Sequence, residues 1–167
     1  MSRPAVAQPV PHAPGLRVAL VVSTYHDGVT SRLAAGALEA LAAAGVPAAQ
    51  VERLDVPGAY EIPFAARVAA ASGRVDAVVC LGCLIKGETP HFDYIASAVS
   101  HGIMQASLLQ GVPMAFGVLT VNTQEEADAR VPSGPGNKGF EAAVAVITMA
   151  QLAQAWQPGV AGEGSEG

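Results

Sequence analysis

The strongest candidate for proton chemistry is His91, which falls in the first turn of a predicted helix. The positive end of the helix dipole disfavours the imidazolium there, so we expect a neutral ring that exchanges protons near neutral pH. Gly87, Glu88 and Thr89 lie just before this helix, and the free backbone N–H groups at a helix start bind phosphate or carboxylate. His91 could equally be a surface histidine near a helix cap, so its position alone leaves the role open.

Three charged residues are candidates for binding. Arg130 ends a short acidic helix beside a loop rich in Gly and Pro, where it could bind an anion or pair with Glu126 one turn earlier. Lys138 is one of only two lysines, although a lysine that opens a helix is usually just solvated. Glu61 follows a predicted strand, where its carboxylate could accept hydrogen bonds from polyol hydroxyls or simply stabilise a helix start.

Aromatic and sulfur-containing residues are few. Tyr25, Tyr60 and Phe116 come near three predicted strand ends and could stack on a planar heterocycle, although each could also belong to the core. Cys80 and Cys83 have the spacing of a redox pair, but both lie within a predicted strand, so we expect reduced, buried thiols.

The sequence lacks the motifs that would indicate the common metals and cofactors. It has no second cysteine pair, no His-Glu-x-x-His, no Gly-x-Gly-x-x-Gly and no Gly-x-x-x-x-Gly-Lys-Ser/Thr. We therefore expect no metal site and neither NAD nor ATP as a cofactor.

Strands and helices must alternate to position these residues. Short apolar runs predict strands, helical spacing of apolar residues predicts helices, and Thr89 as cap with Pro90 as first residue predicts the start of the third helix. The predicted strands are 17–23, 51–56, 75–85 and 112–120, and the predicted helices are 29–44, 62–71, 90–110, 123–130 and 138–156. This order predicts a three-layer α/β/α sandwich with a four-stranded parallel sheet, in which ligands bind at the carboxyl ends of the strands.

We expect residues 1–15 to form an extended, Pro-rich arm, residues 16–157 a single domain and residues 158–167 a disordered tail. The net charge of −5 argues against a general nucleic-acid binder, and no apolar run is long enough to span a membrane. The first residues lack the apolar stretch of a secretory signal, so we expect a cytoplasmic protein. Charged residues are 14% of the chain, against roughly 25% in an average domain, which favours a surface covered by further copies.

Four segments together resemble the lumazine synthase (6,7-dimethyl-8-ribityllumazine synthase) family. They are Val-Pro-Gly-Ala-Tyr-Glu-Ile-Pro at 56–63, Leu-Gly-Cys-Leu-Ile-Lys-Gly-Glu-Thr-Pro-His-Phe-Asp-Tyr at 81–94, Phe-Gly-Val-Leu-Thr at 116–120 and Gly-Asn-Lys-Gly-Phe-Glu-Ala at 136–142. The resemblance runs from about residue 16 to residue 153 and implies a flavodoxin-like fold. It also implies condensation of 5-amino-6-(D-ribitylamino)uracil with 3,4-dihydroxy-2-butanone 4-phosphate, without a metal or organic cofactor.

The same resemblance implies a role for each candidate. His91 would transfer protons, and the phosphate would be bound by Arg130 with Gly87, Glu88 and Thr89. The residues implied to bind the pyrimidine ring and the ribityl chain are Tyr25, Ala59, Tyr60, Glu61, Cys83, Leu84, Ile85, Phe116 and Lys138. Of these, Phe116 and Lys138 would come from the neighbouring subunit, so the active site would lie between the protomers of a homo-oligomer.

The sequence departs from the family pattern at several points. Tyr25 stands where Phe or Trp is common, and Lys86 stands where arginine is common. Val-Pro-Ser-Gly-Pro at 131–135 replaces a loop rich in glycine and lysine, and prolines in the amino-terminal arm would weaken strand pairing with a neighbour. These departures favour a homopentamer over an icosahedral shell. Riboflavin synthase is a candidate partner.

Three alternatives remain. An archaeal-type riboflavin synthase relative would act on the lumazine product, and a non-catalytic flavin or lumazine carrier would keep the aromatic pocket without turnover. His91, Arg130 and Lys138 argue against the carrier. A phospho-receiver domain needs an acidic cluster at the strand ends, which Asp27 and Asp55 do not provide.

Overall fold

The computed structural model describes residues 9–158. The strands are β1 (Val18–Ser23), β2 (Val51–Val56), β3 (Ala77–Ile85) and β4 (Met114–Val121). The helices are α1 (Asp27–Ala43), α2 (Ile62–Ala71), α3 (His91–Gln110), α4 (Gln124–Ala129) and α5 (Lys138–Ala155). Short 3₁₀ turns at Ala48–Gln50 and Ala59–Glu61 precede β2 and α2.

The four strands form one parallel sheet in the order β2-β1-β3-β4. Helices cover both faces of the sheet, because residues alternating along β1 contribute to two separate apolar clusters. Val18, Leu20 and Val22 belong to the cluster that includes α1 and α5, and Ala19 and Val21 belong to the cluster with α2 and α3. The predicted three-layer, flavodoxin-like α/β/α sandwich is therefore confirmed.

Three helix starts differ from the prediction, and α4 begins at Gln124, one residue later than predicted, because Thr123 is its cap. Helix α1 begins at Asp27, two residues early, because His26 adopts a left-handed conformation (φ 59°) and its carbonyl accepts hydrogen bonds from the N–H groups of Val29 and Thr30. Helix α3 begins at His91, so the predicted cap at Thr89 is wrong. The carbonyl of Pro90 accepts the first hydrogen bonds of the helix, which makes Pro90 the cap residue.

The segment before β1 packs on its own chain. The N–H of Ala13 donates to the carbonyl of Ala44 at 2.8 Å, the Gln50 amide donates to the carbonyl of Leu16 at 2.8 Å, and Ala13 and Leu16 are both buried. Residues 9–17 form neither helix nor strand. The rest of the predicted arm, residues 1–8, and nearly all of the predicted tail, residues 159–167, lie outside the described residues.

No helix within residues 9–158 is long and apolar enough to cross a bilayer.

An ion pair ties the amino ends of β1 and β3 together. The Arg17 guanidinium and backbone N–H both donate to the Asp76 carboxylate, with a shortest distance of 2.9 Å. Hydrogen bonds from the Arg17 side chain lower the pKa of Asp76 below its ordinary value. This pair lies at the end of the sheet where the strands begin, opposite their carboxyl ends.

We expect Asp76→Asn to lower the melting temperature at pH 7 by about 2–4 °C, because the ionised carboxylate favours the folded state. Because the pKa of Asp76 is lower in the folded protein than in the unfolded chain, its ionised carboxylate stabilises the fold fully at pH values above the ordinary aspartate pKa. This stabilisation is lost as the pH falls through the pKa of Asp76 in the folded protein. The difference between wild type and variant should therefore shrink below about pH 4. Thermal unfolding from about pH 7 down to pH 2 measures it, and a difference that stays constant with pH would contradict this assignment.

Candidate active site

The first group of candidate residues lies where β1 and β2 end. The N–H of Tyr25 donates to the carbonyl of Pro57 at 3.2 Å, so the loop after β1 lies directly beside the segment after β2. Tyr25 and Tyr60 are 67% and 65% exposed. Two aromatic rings that face solvent in a chain with so few aromatics are available to contact a ligand.

The short turn Ala59–Glu61 fixes this group on the sheet. Ala59 is buried under the turn, so it supports the backbone rather than offering a surface to a ligand. The Glu61 carboxylate is exposed and turns back toward Gly58, where an added Cβ would lie 3.1 Å from Oε2. Glu61 thus stands at the cap of α2 with its oxygens free to accept hydrogen bonds.

The second group follows β3. Cys83 is buried, Leu84 and Ile85 are half-buried, and the turn of Gly87, Glu88 and Thr89 is exposed. His91 is exposed as the first residue of α3. Its position agrees with the prediction of a histidine at a helix start. The free backbone N–H groups of the first helical turn lie at the same end of α3.

The third group surrounds a depression of about 360 Å³ beside the edge strand β4. Its lining includes Phe116, Arg130, Lys138 and Glu141. Lys138 Nζ donates to Glu141 at 2.9 Å, so two cations and one carboxylate line the depression and leave it net positive. A cation at the first residue of α5 interacts unfavourably with the helix dipole, and the ion pair with Glu141 offsets this effect.

Helix α4 positions Arg130 at this depression. Thr123 caps the helix by accepting from the N–H of Glu126, and the Glu126 carboxylate accepts from the N–H of Asn122 at 2.8 Å, which lowers the Glu126 pKa. Arg130 Nη1 donates to the carbonyl oxygen of Glu126 rather than to its carboxylate. This hydrogen bond occupies one of the five guanidinium donors.

The structure brings the third group together but keeps it apart from the second. Among the described residues, the lining of the depression includes Arg130 and none of the residues 87–91. Phe116 is the third residue of β4 and pairs with Cys80, so it lies away from the carboxyl edge. The prediction that Phe116 comes near the ligand-binding ends of the strands is therefore wrong for a single chain.

A family model for 6,7-dimethyl-8-ribityllumazine synthase matches residues 15–154. The chain belongs to the lumazine synthase family. Membership implies a transferase in riboflavin biosynthesis that makes 6,7-dimethyl-8-ribityllumazine. The match covers every helix and strand except the last residue of α5, so the two ends of the chain alone lie outside it.

Some residues that line the depression received no individual role from the sequence. Glu141 was readable as the partner of Lys138 one turn along α5, and Thr120 lies in the 116–120 segment that carries the family resemblance. A second depression of about 420 Å³, on the α3 side of β4, shares Phe116 and Thr120 with the first. Its further lining includes Phe92 and Asn122, whose proximity depends on strand pairing.

No cluster of three or more potential metal ligands occurs among the residues that the structure describes.

Both cysteines should be inert at neutral pH. Burial raises the pKa of the Cys80 thiol to about 12, and burial with the Asp128 charge raises that of Cys83 to about 11. The thiolate is the reactive form, so a thiol reagent at about pH 7.5 should label neither residue in the folded protein and both after denaturation. Mass spectrometry measures the labelling, and rapid modification of the folded protein would contradict the burial of the thiols.

Proposed function

We propose that this protein condenses 5-amino-6-(D-ribitylamino)uracil with 3,4-dihydroxy-2-butanone 4-phosphate, giving 6,7-dimethyl-8-ribityllumazine, phosphate and water. The family match over residues 15–154 carries the proposal. The net positive depression beside an aromatic ring supports it, because the reaction needs a phosphate site next to a planar ring.

Arg130 binds the phosphate of the four-carbon substrate, and Lys138, which lines the same depression, contacts the pyrimidine substrate beside it. A guanidinium holds two oxygens of a phosphate in a fixed geometry, while an ammonium acts as a point charge. The exposed turn of Gly87, Glu88 and Thr89 adds backbone N–H donors when it faces this depression across a subunit boundary. Such a boundary would join the second and third groups, which are apart in one chain.

The ring of the pyrimidine substrate stacks on Tyr25, with Phe116 of a neighbouring copy and the Cys83–Ile85 segment completing its pocket. Tyr60 and Glu61 hold the ribityl chain, since a hydroxyl and a carboxylate both accept hydrogen bonds from a polyol. Ala59 acts through its backbone, since its methyl group is buried.

The reaction proceeds in three bond-forming and bond-breaking stages. The 5-amino group attacks the ketone carbon, and loss of water gives an imine. A proton is then removed from the hydroxyl-bearing carbon as the C–O bond to phosphate breaks, and the resulting enol tautomerises to a new ketone. The ribityl-bearing nitrogen attacks this ketone to close the ring with loss of a second water. His91 moves protons to and from the nitrogen and oxygen atoms in these stages.

Orientation supplies most of the acceleration. Holding two substrates together is worth up to about 7–11 kcal/mol, whereas a positioned proton-transfer group contributes typically about 10²–10⁴-fold. The site therefore depends more on how its elements are held than on any one titrating group.

We further propose that the active unit is a homopentamer. Six large apolar side chains outside the candidate site are mostly exposed in one chain: Phe64, Tyr94, Met104, Leu108, Leu109 and Trp156. An exposed apolar surface of this extent is typical of a subunit interface. Sedimentation velocity measures the assembly, and a particle of capsid size would overturn the pentamer.

The first experiment mixes the purified protein with both substrates and follows lumazine absorbance and phosphate release against the uncatalysed reaction. We expect acceleration with one phosphate released for each lumazine formed. Absence of acceleration, with tight binding of lumazine or riboflavin retained, would sink the synthase proposal in favour of a carrier.

Replacing His91 tests its role in proton transfer. His91→Ala should lower kcat by about 10²-fold or more and leave a measurable residual rate, because orientation of the substrates survives. His101→Ala is the matched control, since His101 lies on the same helix and bonds only within it. A complete loss of turnover in a well-folded variant would contradict this role, and so would an unchanged kcat.

Replacing Arg130 tests the phosphate site. Arg130→Ala should raise the KM for the butanone phosphate about 10- to 100-fold and change the KM for the pyrimidine little, because charge-assisted hydrogen bonds to phosphate are lost. Arg74→Ala is the control, since Arg74 pairs with Glu52 at the opposite edge of the sheet. An unchanged KM for the phosphate substrate would remove Arg130 from the site.

A further inference from the structure

Asn137 is a buried polar side chain with every hydrogen-bonding position in use. Only 2% of the residue is exposed. Its amide nitrogen donates to the carbonyls of Arg32 and Pro132, both at 3.0 Å. Its amide oxygen accepts from the N–H groups of Gly139 at 2.7 Å and Phe140 at 3.3 Å. Two donors and two acceptor sites are what an asparagine side chain offers.

These bonds fasten the loop that carries the two cations. The N–H of Lys138 donates to the carbonyl of Arg130 at 2.9 Å, and the N–H of Asn137 donates to the carbonyl of Gly134 at 3.0 Å. The loop is thereby closed with the backbones of Arg130 and Lys138 side by side. Asn137 joins this closed loop both to the start of α5 and to α1, at Arg32.

The two helices approach closely enough to enclose this amide because glycine occupies two positions. A Cβ at Gly36 of α1 would lie 2.2 Å from Asn137 Oδ1, and a Cβ at Gly139 of α5 would lie 2.0 Å from the carbonyl oxygen of Leu33. Real Cβ atoms do not come this near to another heavy atom. The packing around Asn137 is therefore specific to an amide between two glycines.

We infer that Asn137 is a positioning residue for the phosphate site, in addition to capping α5. It holds the backbones of Arg130 and Lys138 side by side, so that Arg130 is in place for the phosphate and Lys138 for the second substrate next to it. The inference rests on the proposed function for the identity of the anion. The two like charges repel each other, and the loop with its hydrogen bonds to α1 keeps them together before the anion arrives.

Asn137→Ser separates positioning from capping. Serine and asparagine cap helices about equally well, but a hydroxyl has one donor and cannot bond to the carbonyls of both Arg32 and Pro132. We expect the Kd for inorganic phosphate and the KM for the butanone phosphate to rise about tenfold or more, with kcat changed less than about threefold. Calorimetry and steady-state kinetics measure these quantities.

Asp76→Asn is the control for general destabilisation, because it weakens the Arg17–Asp76 ion pair at the amino ends of β1 and β3, far from the depression. It should lower the melting temperature and leave the phosphate Kd at its wild-type value. If Asn137→Ser matches wild type in phosphate Kd, or if Asp76→Asn raises the Kd equally, the positioning role is refuted.

Asn137→Gly serves if the serine variant does not fold, because glycine is also accepted at a helix cap and brings neither the amide donors nor a charge. A weaker phosphate affinity than wild type supports positioning, and equal affinity overturns it. Wild-type protein that binds phosphate without catalysing condensation refutes the proposed function alone, whereas failure to bind phosphate refutes both.

Discussion

The central strands β1 and β3 are buried on both faces, and this constraint decides where the protein can do chemistry. A polar group inside either cluster would lose its contacts with water and cost free energy unless it found a partner. Within the described part of the chain, the buried polar residues are few: Ser23 ends β1, Thr30 lies on α1 and Asn137 caps α5. Charged side chains are consequently found on the outer faces of the helices, in the loops and on the edge strand β2.

A net negative chain can still present a positive site because its charges are separated in space. Arg130 and Lys138 meet at one depression, while α4 carries acidic residues whose oxygens are bound elsewhere. Asp128 pairs with Arg32 and accepts from Gln124, which lowers its pKa, and Glu126 accepts from the backbone of Asn122. Asp128 is thus paired with a cation, and the charged residues that line the depression itself, Arg130, Lys138 and Glu141, sum to a positive charge.

The sequence predicted the elements well where a local signal decides them. Helix α2 starts and ends where predicted, since helical spacing is followed at once by Ser72 and Gly73. The start of α3 was misplaced because Thr89 and Pro90 both carry signals for a helix start, and the choice depends on which carbonyl accepts the first bonds. Of the site, sequence patterns marked Arg130 and Lys138 only as candidates, and the family resemblance gave each its implied role. Sequence patterns could not reveal that Asn137 bonds to Arg32, because that contact joins residues 105 positions apart.

The close packing around Asn137 restricts which substitutions this sequence can accept. A methyl group at position 36 collides with the Asn137 amide, so that position is closed to alanine as long as the amide is present. A smaller residue at position 137 removes the collision and opens position 36. The two positions should therefore vary together among related chains, and a change at one should alter the fitness effect of a change at the other. We therefore expect substitutions at positions 36 and 137 to occur in pairs rather than singly.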